Sequence, residues 1–209
     1  MRKIYKVLFP VIAFLCLFAP HTARATHVMG SDIRWQCLGG DTFLITVTAY
    51  RDCNGIPLTG TNLGYQSTDG SCVGTRVSAN PNVCCGTDIT PVCGRSCSRC
   101  ISNSNCPFPL GIEQFTITAR VYIPPPCCNY TISWEECCRN GAITTGAAGN
   151  DFWSEVYMNR CIKPCDNSPY FTSPPVGIFC VGQCVVYNPG ANDDDRDVNG
   201  NADSLAFSL

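Results

Sequence analysis

The cysteines constrain this chain more than any other feature of its sequence. There are 18 of them in 209 residues, and only Cys16 lies within the first 25 residues. This density predicts a disulfide framework formed in an oxidising compartment. The other seventeen allow up to eight bridges with one thiol left over, and their spacing does not determine the connectivity. The disulfide candidates are Cys37, Cys53, Cys72, Cys84, Cys85, Cys93, Cys97, Cys100, Cys106, Cys127, Cys128, Cys137, Cys138, Cys161, Cys165, Cys180 and Cys184.

Residues 1–25 have the composition of a secretory signal peptide. Basic residues precede the apolar run Val7–Ala19, and Ala23-Arg24-Ala25 forms a small-x-small cleavage site. The apolar run is short for a membrane span, and no second long apolar run follows. We therefore expect a mature chain that begins at Thr26, has no transmembrane segment, and is secreted or displayed on the cell surface.

The mature chain is acidic. Four of the fourteen basic residues lie in residues 1–25, whereas all sixteen acidic residues lie later, so the formal charge after cleavage is −6. Lys163 is then the only lysine. Because nucleic acids and acidic membranes are bound by clustered positive charge, neither is expected as a partner. A cell-surface polysaccharide or another protein is the expected partner, although the sequence does not identify the ligand.

Alternating apolar and polar residues, the pattern of half-buried strands, recur along the chain. They predict strands over Thr42–Tyr50, Gln114–Ile123, Tyr130–Glu135 and Phe152–Asn159. Leu38-Gly39-Gly40-Asp41 predicts a hairpin turn before the first of these. No segment has the periodicity and caps of a helix. Short strands separated by turn residues predict an all-β fold, a disulfide-rich, immunoglobulin-like β-sandwich.

The strand over Tyr130–Glu135 leads into adjacent cysteines, Cys137 and Cys138. Neighbouring side chains on an extended backbone point in opposite directions, so each member of such a doublet is expected to bond a different partner. One hypothesis pairs Cys53 with Cys137 or Cys138. That bridge would close a loop of about 85 residues and contribute on the order of 4 kcal/mol through chain entropy.

The segment Pro164–Pro169 has the composition of a domain boundary. It separates a cysteine-rich β-sandwich domain, residues 26–165, from the beginning of a second β-domain, residues 166–209. Within the second domain, strands are predicted over Ile178–Tyr187 and from Ser204 to Leu209. Because the sequence stops within this last alternation, we expect the chain to be the N-terminal piece of a longer protein.

Several short motifs follow one another in a fixed order: Thr26-His27-Val28-Met29-Gly30, Ala49-Tyr50-Arg51-Asp52-Cys53, Cys137-Cys138-Arg139-Asn140, Asn167-Ser168-Pro169-Tyr170-Phe171, Pro174-Pro175, Phe179-Cys180-Val181-Gly182-Gln183 and Asp203-Ser204-Leu205-Ala206-Phe207-Ser208-Leu209. In this order they resemble the N-terminal region of large secreted surface proteins of Bacteroidetes. Those proteins are of the gliding-motility-associated or PKD-domain type and usually carry a type IX secretion signal. The resemblance spans essentially the whole mature chain. It implies an exported, multidomain surface protein, an adhesive role, a cadherin- or PKD-like second domain, and no enzymatic activity.

An acidic loop near the end of the chain is a candidate calcium site. Asp195, Asp197, Asn199 and Asp203 supply oxygen ligands at alternating positions, and Gly200 permits the sharp turn that wraps a hard cation. The predicted cofactor is therefore Ca²⁺, bound in the weak extracellular class, with a dissociation constant on the order of 10⁻⁴ to 10⁻³ M. The alternative is a solvated acidic linker.

None of the remaining motifs in the sequence indicates a catalytic site. Cys93-x3-Cys97-x2-Cys100 has the spacing of a radical-SAM cluster or a redox CxxC, but both require folds that are not predicted here. A structural zinc site is the other alternative, and disulfides are favoured. His27 lies too near the chain start for a catalytic base. Glu135 and Glu136 are adjacent, so they face opposite sides of a strand and are not the paired acids of a glycosidase.

Two functions fit these observations. The first is an extracellular structural or adhesion module of a larger cell-surface protein, stabilised by disulfides. The second is a carbohydrate-binding module of a secreted multidomain hydrolase. Trp35, Trp134, Trp153 and Tyr157 discriminate between them, because exposed rings along one sheet face favour carbohydrate binding and buried rings weaken it.

Overall fold

The computed structural model describes residues 28–58, 60, 62–70, 76–90, 98, 100, 111–175, 181–182, 184–196, 199–201 and 203–206. The described chain forms an all-β, disulfide-rich β-sandwich with no helix. Its strands are β1 (Val28–Gly39), β2 (Thr42–Asp52), β3 (Asn62–Ser67), β4 (Val77–Ser78), β5 (Asn82–Asp88), β6 (Ile112–Tyr122), β7 (Asn129–Glu136), β8 (Phe152–Asn159), β9 (Tyr170–Phe171) and β10 (Ala191–Asn192).

The first sheet is antiparallel in the order β1-β2-β6-β5. The predicted hairpin between β1 and β2 is confirmed. Gly40 and Asp41 adopt φ values of 57° and 58°, as a two-residue turn with two left-handed positions requires. β2 then pairs along its whole length with β6, from Thr42 opposite Tyr122 to Asp52 opposite Ile112.

The second sheet is also antiparallel, in the order β4-β3-β7-β8. β7 is central and pairs with β8 from Asn129 opposite Asn159 to Glu136 opposite Phe152. β9 and β10 form a separate two-stranded pair. The bounds of β7 and β8 confirm the strands predicted from alternation.

The core lies between the two four-stranded sheets. Alternate residues of β2 and β6, among them Ile45, Val47 and Ile117, are almost completely buried against Ile132 and Trp134 of β7. Trp134 is the largest fully buried side chain of the described residues. The alternation in these strands therefore predicted the inward face correctly.

The segment after residue 165 packs against β1. The Ser168 backbone N–H donates to the Trp35 carbonyl at 3.0 Å, and the Trp35 N–H donates to Ser168 Oγ at 2.9 Å. The Trp35 indole Nε1 donates to the Asp166 carbonyl at 3.1 Å. The Cys37–Cys165 disulfide fixes the same junction covalently. These contacts hold the following segment near the outer face of the first sheet.

Two strands predicted near the end of the chain are not formed in the part that the structure describes. Residues 184–190 and 203–206 have no strand conformation, and the remaining residues of both predictions lie outside the described ranges apart from 181–182, which form a turn. Val181 and Val186 are almost fully exposed. An apolar alternation forms a strand only where a neighbouring strand pairs with it, and these residues have none among the described strands.

The prediction for the Cys137-Cys138 doublet is wrong, because the two cysteines are bonded to each other. β7 ends at Glu136, and Cys137 lies in a bend. The extended backbone that would direct the two side chains apart therefore does not continue through the doublet.

The proposed pairing of Cys53 with Cys137 or Cys138 is also wrong, because Cys53 is bonded to Cys100. Cys53 follows β2 on the side of β6, where its N–H donates to the Gly111 carbonyl at 3.0 Å. The 137–138 doublet lies on the side of β1, since the Val28 N–H donates to the Cys138 carbonyl at 3.0 Å. The Cys53 sulfur is directed towards Gly111 and Cys100, although the Asn140 side chain reaches the neighbouring Asp52 at 3.4 Å.

The other doublets differ from one another. Cys128 is bonded to Cys161, and Cys127 is disulfide-bonded as well, so this doublet has two partners as expected. Cys84 and Cys85 lie on the exposed strand β5 as free thiols, and Cys184 is a third exposed free thiol. The remaining disulfide candidates, Cys72, Cys93, Cys97, Cys106 and Cys180, lie outside the described residues.

Candidate functional site

The outer face of the second sheet carries two exposed aromatic rings on β8. Trp153 is 46% exposed and Tyr157 is 70% exposed. They are four residues apart on one strand, so both point away from the core and their Cα atoms are separated by about 13 Å. Glu155 lies between them on the same face and is also exposed.

Glu155 connects the two rings. The indole Nε1 of Trp153 donates to Glu155 Oε2 at 3.0 Å, and the Tyr157 hydroxyl donates to Oε1 at 2.6 Å. Both hydrogen bonds hold the pKa of Glu155 below its ordinary value, and the one from Tyr157 has the larger effect. The hydrogen bond between Tyr157 and Glu155 also raises the pKa of the Tyr157 hydroxyl. Both rings are therefore oriented by one carboxylate.

Arg76 extends this surface across the sheet. Its guanidinium lies 5.9 Å from the centroid of the Trp153 ring, and its Nε donates to Ser133 Oγ at 3.0 Å. Gly64 makes room for it, because a Cβ at Gly64 would lie 2.8 Å from Arg76 Cζ and 2.7 Å from the Val77 carbonyl oxygen. Ser133, which the alternation places on the outer face, is buried beneath this arginine.

We call Arg76, Trp153, Glu155 and Tyr157 the aromatic face. It presents two ring surfaces, an anionic acceptor and a cationic donor on an open sheet. Aromatic rings stack on the apolar faces of sugar rings, while carboxylate and guanidinium groups make strong hydrogen bonds with hydroxyls. Small ligands are usually held in concave pockets. An open face of this type therefore suits an extended polymer.

The four diagnostic aromatic residues divide into two groups. Trp153 and Tyr157 are exposed on one sheet face, as a carbohydrate-binding module would require. Trp134 is fully buried in the core, and Trp35 is half-buried with its indole N–H bonded to the Asp166 carbonyl. Two of the four therefore favour carbohydrate binding, and the other two have structural roles.

The acidic loop is organised around Lys163. The ammonium Nζ of Lys163 lies 2.9 Å from Asp166 Oδ1, 3.3 Å from Asp195 Oδ2 and 3.6 Å from Asp203 Oδ2. It also donates to the Arg196 carbonyl at 3.4 Å. The hydrogen bond to Asp166 is the first cause of a raised pKa at Lys163. Lys163, the only lysine after residue 25 of the sequence, is thus the cation that the carboxylates surround.

Asp195 is the most constrained of these carboxylates. Its Oδ2 accepts the backbone N–H of Asn167 at 2.6 Å, and its Oδ1 accepts the Asn167 side-chain amide at 2.8 Å. Burial alone would raise the pKa of Asp195, but the hydrogen bonds from Asn167 and the contact with Lys163 lower it to about 2. Asp195 therefore links the acidic loop to the segment that packs on β1.

The predicted calcium ligands are only partly brought together. Asp195 and Asp203 both face Lys163, Asn199 lies in the same loop, and Asp197 lies outside the described residues. Lys163 Nζ lies between the carboxylates of Asp195 and Asp203, so a calcium ion that bridged these two carboxylates would compete with its ammonium group. Calcium binding by this loop stays a prediction.

The other groups of residues that the sequence suggested as chemical sites do not form such sites among the described residues. Cys100 of the Cys93-x3-Cys97-x2-Cys100 motif is bonded to Cys53, and the rest of that motif, like His27, lies outside the described residues. Among the described residues, one group has the geometry to hold a metal ion, and it consists of Cys137, Cys138 and Asp151. Because two of these ligands form a disulfide, the oxidised chain offers no thiolate there.

The two adjacent glutamates face opposite sides of β7, as predicted. Glu136 continues the inward face and is buried, where it accepts the Gly60 N–H at 3.3 Å. Glu135 belongs to the outer face and is opposite Trp153 of β8. Glu136 therefore holds the chain before β3, and the two carboxylates do not form a pair.

In comparisons with known proteins, no family model, curated protein or solved structure matches this chain. Within the part that the structure describes, no helix has the length and apolar character needed to span a membrane. The functional argument therefore depends on the geometry of the chain itself.

Reasoning from the sequence identified Trp153 and Tyr157 but missed Arg76 and Glu155. The signal for Glu155 was its position between two aromatic residues in a strict alternation, which places all three on one face. Arg76 lies in a stretch without periodicity, and its place beside Trp153 depends on the pairing of β3 with β4 and β7. No local pattern predicts that pairing.

Proposed function

We propose that this chain is an extracellular structural and adhesion module of a larger cell-surface protein, and that it attaches to polysaccharide through the aromatic face. The observation that supports the proposal is the arrangement of Trp153, Glu155 and Tyr157, with two exposed rings oriented by one carboxylate. The disulfides would preserve this face outside the cell, where chaperones do not restore an unfolded domain.

The attachment is tested by co-sedimentation of the secreted chain with insoluble polysaccharides and by affinity electrophoresis in soluble ones. Trp153→Ala and Tyr157→Ala are each expected to weaken binding at least tenfold, which corresponds to about 1.4 kcal/mol. Tyr122→Ala is the matched control, because Tyr122 is a similarly exposed ring on the other sheet. Equal binding by all three variants, or no binding to any polysaccharide, would overturn the proposal.

A carbohydrate-binding module of a secreted hydrolase is the second candidate. The same two exposed rings favour it, because such modules also bind polymers through aromatic residues on a sheet face. The two candidates differ in what the module is attached to. A hydrolase domain encoded in the same reading frame would support the second candidate, and repeated β-domains with a type IX sorting signal would support the first.

Calcium belongs to the proposal as a ligand of the acidic loop. If calcium stabilises the loop, millimolar CaCl₂ will raise the unfolding temperature, MgCl₂ will not, and Asp197→Asn will abolish the shift. If Lys163 alone serves as the cation, neither salt will have a specific effect. Differential scanning calorimetry distinguishes the two results.

A further inference from the structure

A cavity of about 710 Å³ lies on the outer face of the first sheet, on the side of the sandwich opposite the aromatic face. Its floor is formed by the outward residues of β1, β2 and β6, and its wall by residues 170–175 with Tyr187 and Pro189. The volume lies within the range of about 300–1,000 Å³ that is usual for small-molecule sites. This cavity plays no part in the attachment proposed above.

Part of the cavity floor is polar because pairing between strands brings four side chains together. Asp32 of β1 is opposite Thr48 of β2, and Tyr50 of β2 is opposite Gln114 of β6. The Tyr50 hydroxyl donates to Asp32 Oδ1 at 3.4 Å. Burial raises the pKa of Asp32 above its ordinary value. Such a carboxyl gains from any ligand group that can donate a hydrogen bond to it.

The wall is aromatic and held in place. Tyr170 lies under the guanidinium of Arg34, whose Cζ is 6.0 Å from the ring centroid. Phe171 and Tyr187 are about half exposed. The Tyr187 hydroxyl donates to the Pro174 carbonyl at 3.3 Å. Rings fixed in this way offer flat surfaces at little cost in conformational entropy.

Charge complementarity narrows the class of ligand. Asp32 and Arg34 are two residues apart on the same face of β1, so the cavity presents one carboxyl and one guanidinium. An anionic ligand would meet Asp32, a cationic one would meet Arg34, and an apolar one would cover the partly buried carboxyl without adding a hydrogen bond to that from Tyr50. A neutral polyol can donate to Asp32 and accept from Arg34 at once.

We propose that this cavity is a second binding site and that it takes a single neutral sugar unit, held by Asp32, Arg34 and Gln114 and stacked against Tyr170 or Tyr187. The site is independent of the aromatic face, so either proposal can fail without the other. If both hold, the two sites lie on opposite sheets and one module can contact two glycans.

The test uses the secreted chain labelled with ¹⁵N and titrated with the methyl glycosides of glucose, galactose, mannose and N-acetylglucosamine. At least one is expected to shift backbone signals of β1 and β2 around Asp32. Asp32→Asn, which keeps the shape of the side chain, and Gln114→Ala on a different strand are each expected to weaken that binding at least tenfold. Trp153→Ala is expected to leave it unchanged.

The outcomes separate the alternatives. Glucuronate and tetramethylammonium serve as the anionic and cationic probes, and tighter binding of either one would overturn the proposal. So would the absence of shifts with all four glycosides, or equal binding by wild type and both cavity variants. Matching spectra away from the cavity show that the variants are folded. Loss of polysaccharide binding in Trp153→Ala reports only on the aromatic face.

Discussion

The bridge between Cys37 and Cys165 offers a direct test of the disulfide framework. The two residues are 128 apart in sequence, and closing a loop of that size corresponds to about 5 kcal/mol in the chain-entropy relation. Among the described residues, bridges with separations of 47 and 33 residues lie within that loop and shorten the covalent path to about 50 residues at most. For that path the same relation gives about 4 kcal/mol.

We therefore expect the double variant Cys37→Ser/Cys165→Ser to lose about 4 kcal/mol of its free energy of unfolding. The matched control is Cys84→Ser/Cys85→Ser, which removes two exposed free thiols and should change stability by less than about 0.5 kcal/mol. Both are measured by urea unfolding without reductant, followed by tryptophan fluorescence, with the slope m recorded to detect any change in the unfolded state.

Three results would refute this reasoning. The first is a loss of less than about 1 kcal/mol in the Cys37/Cys165 variant, which lies below the usual range for a native disulfide. The second is an equal loss in the Cys84/Cys85 variant, which would show that these thiols are bonded. The third is a difference from wild type that persists after full reduction, since reduction opens the same bridge in the wild-type chain.

The remaining predictions concern two glycines and two carboxylates. Gly60→Ala should cost about 1–2 kcal/mol for its left-handed φ and about 1–3 kcal/mol more for overpacking, since its Cβ would lie 2.7 Å from Val83; Gly40→Ala, with open space around it, should cost only the first amount in the same urea assay. The lowered pKa of Asp195, about 2, means that its contribution to stability is present above the ordinary pKa of aspartate and lost as the pH falls towards 2; a pH-independent difference between wild type and Asp195→Asn would contradict this. The pKa of Asp32 is raised instead, so its contribution to the free energy of unfolding is fully present below the ordinary aspartate pKa and is lost as the pH rises through the raised value. The difference in stability between wild type and Asp32→Asn, measured against pH, will show this loss.

The sandwich and its core were predictable because its longest strands are half-buried. In β2 and β6 every second side chain faces the other sheet, so apolar residues recur in the sequence at every second position. The same holds for β7, whose inward residues include Ile132 and Trp134. Such patterns fix which face is inside whatever the neighbouring strand is.

The less regular strands were not predictable for a related reason. β4 has two residues, and β5 is mostly exposed with a register shift between Cys84 and Thr87. A strand with neither face buried has no apolar period. The cysteine pairing failed for a different reason, because adjacency in sequence determines direction only while the backbone stays extended, and β7 ends before Cys137.

The acidic loop shows how one side chain can replace an expected ion. Clustered carboxylates repel one another unless a positive charge lies among them, and the sequence offered calcium as that charge. Lys163 lies between the Cys161 and Cys165 bridges, so two disulfides fix the backbone on both sides of the residue whose ammonium contacts Asp166 and Asp195. The covalent framework therefore does more than resist unfolding: it positions a cation that contacts Asp166 and Asp195, which lie in sequence on either side of the residues that form the wall of the cavity.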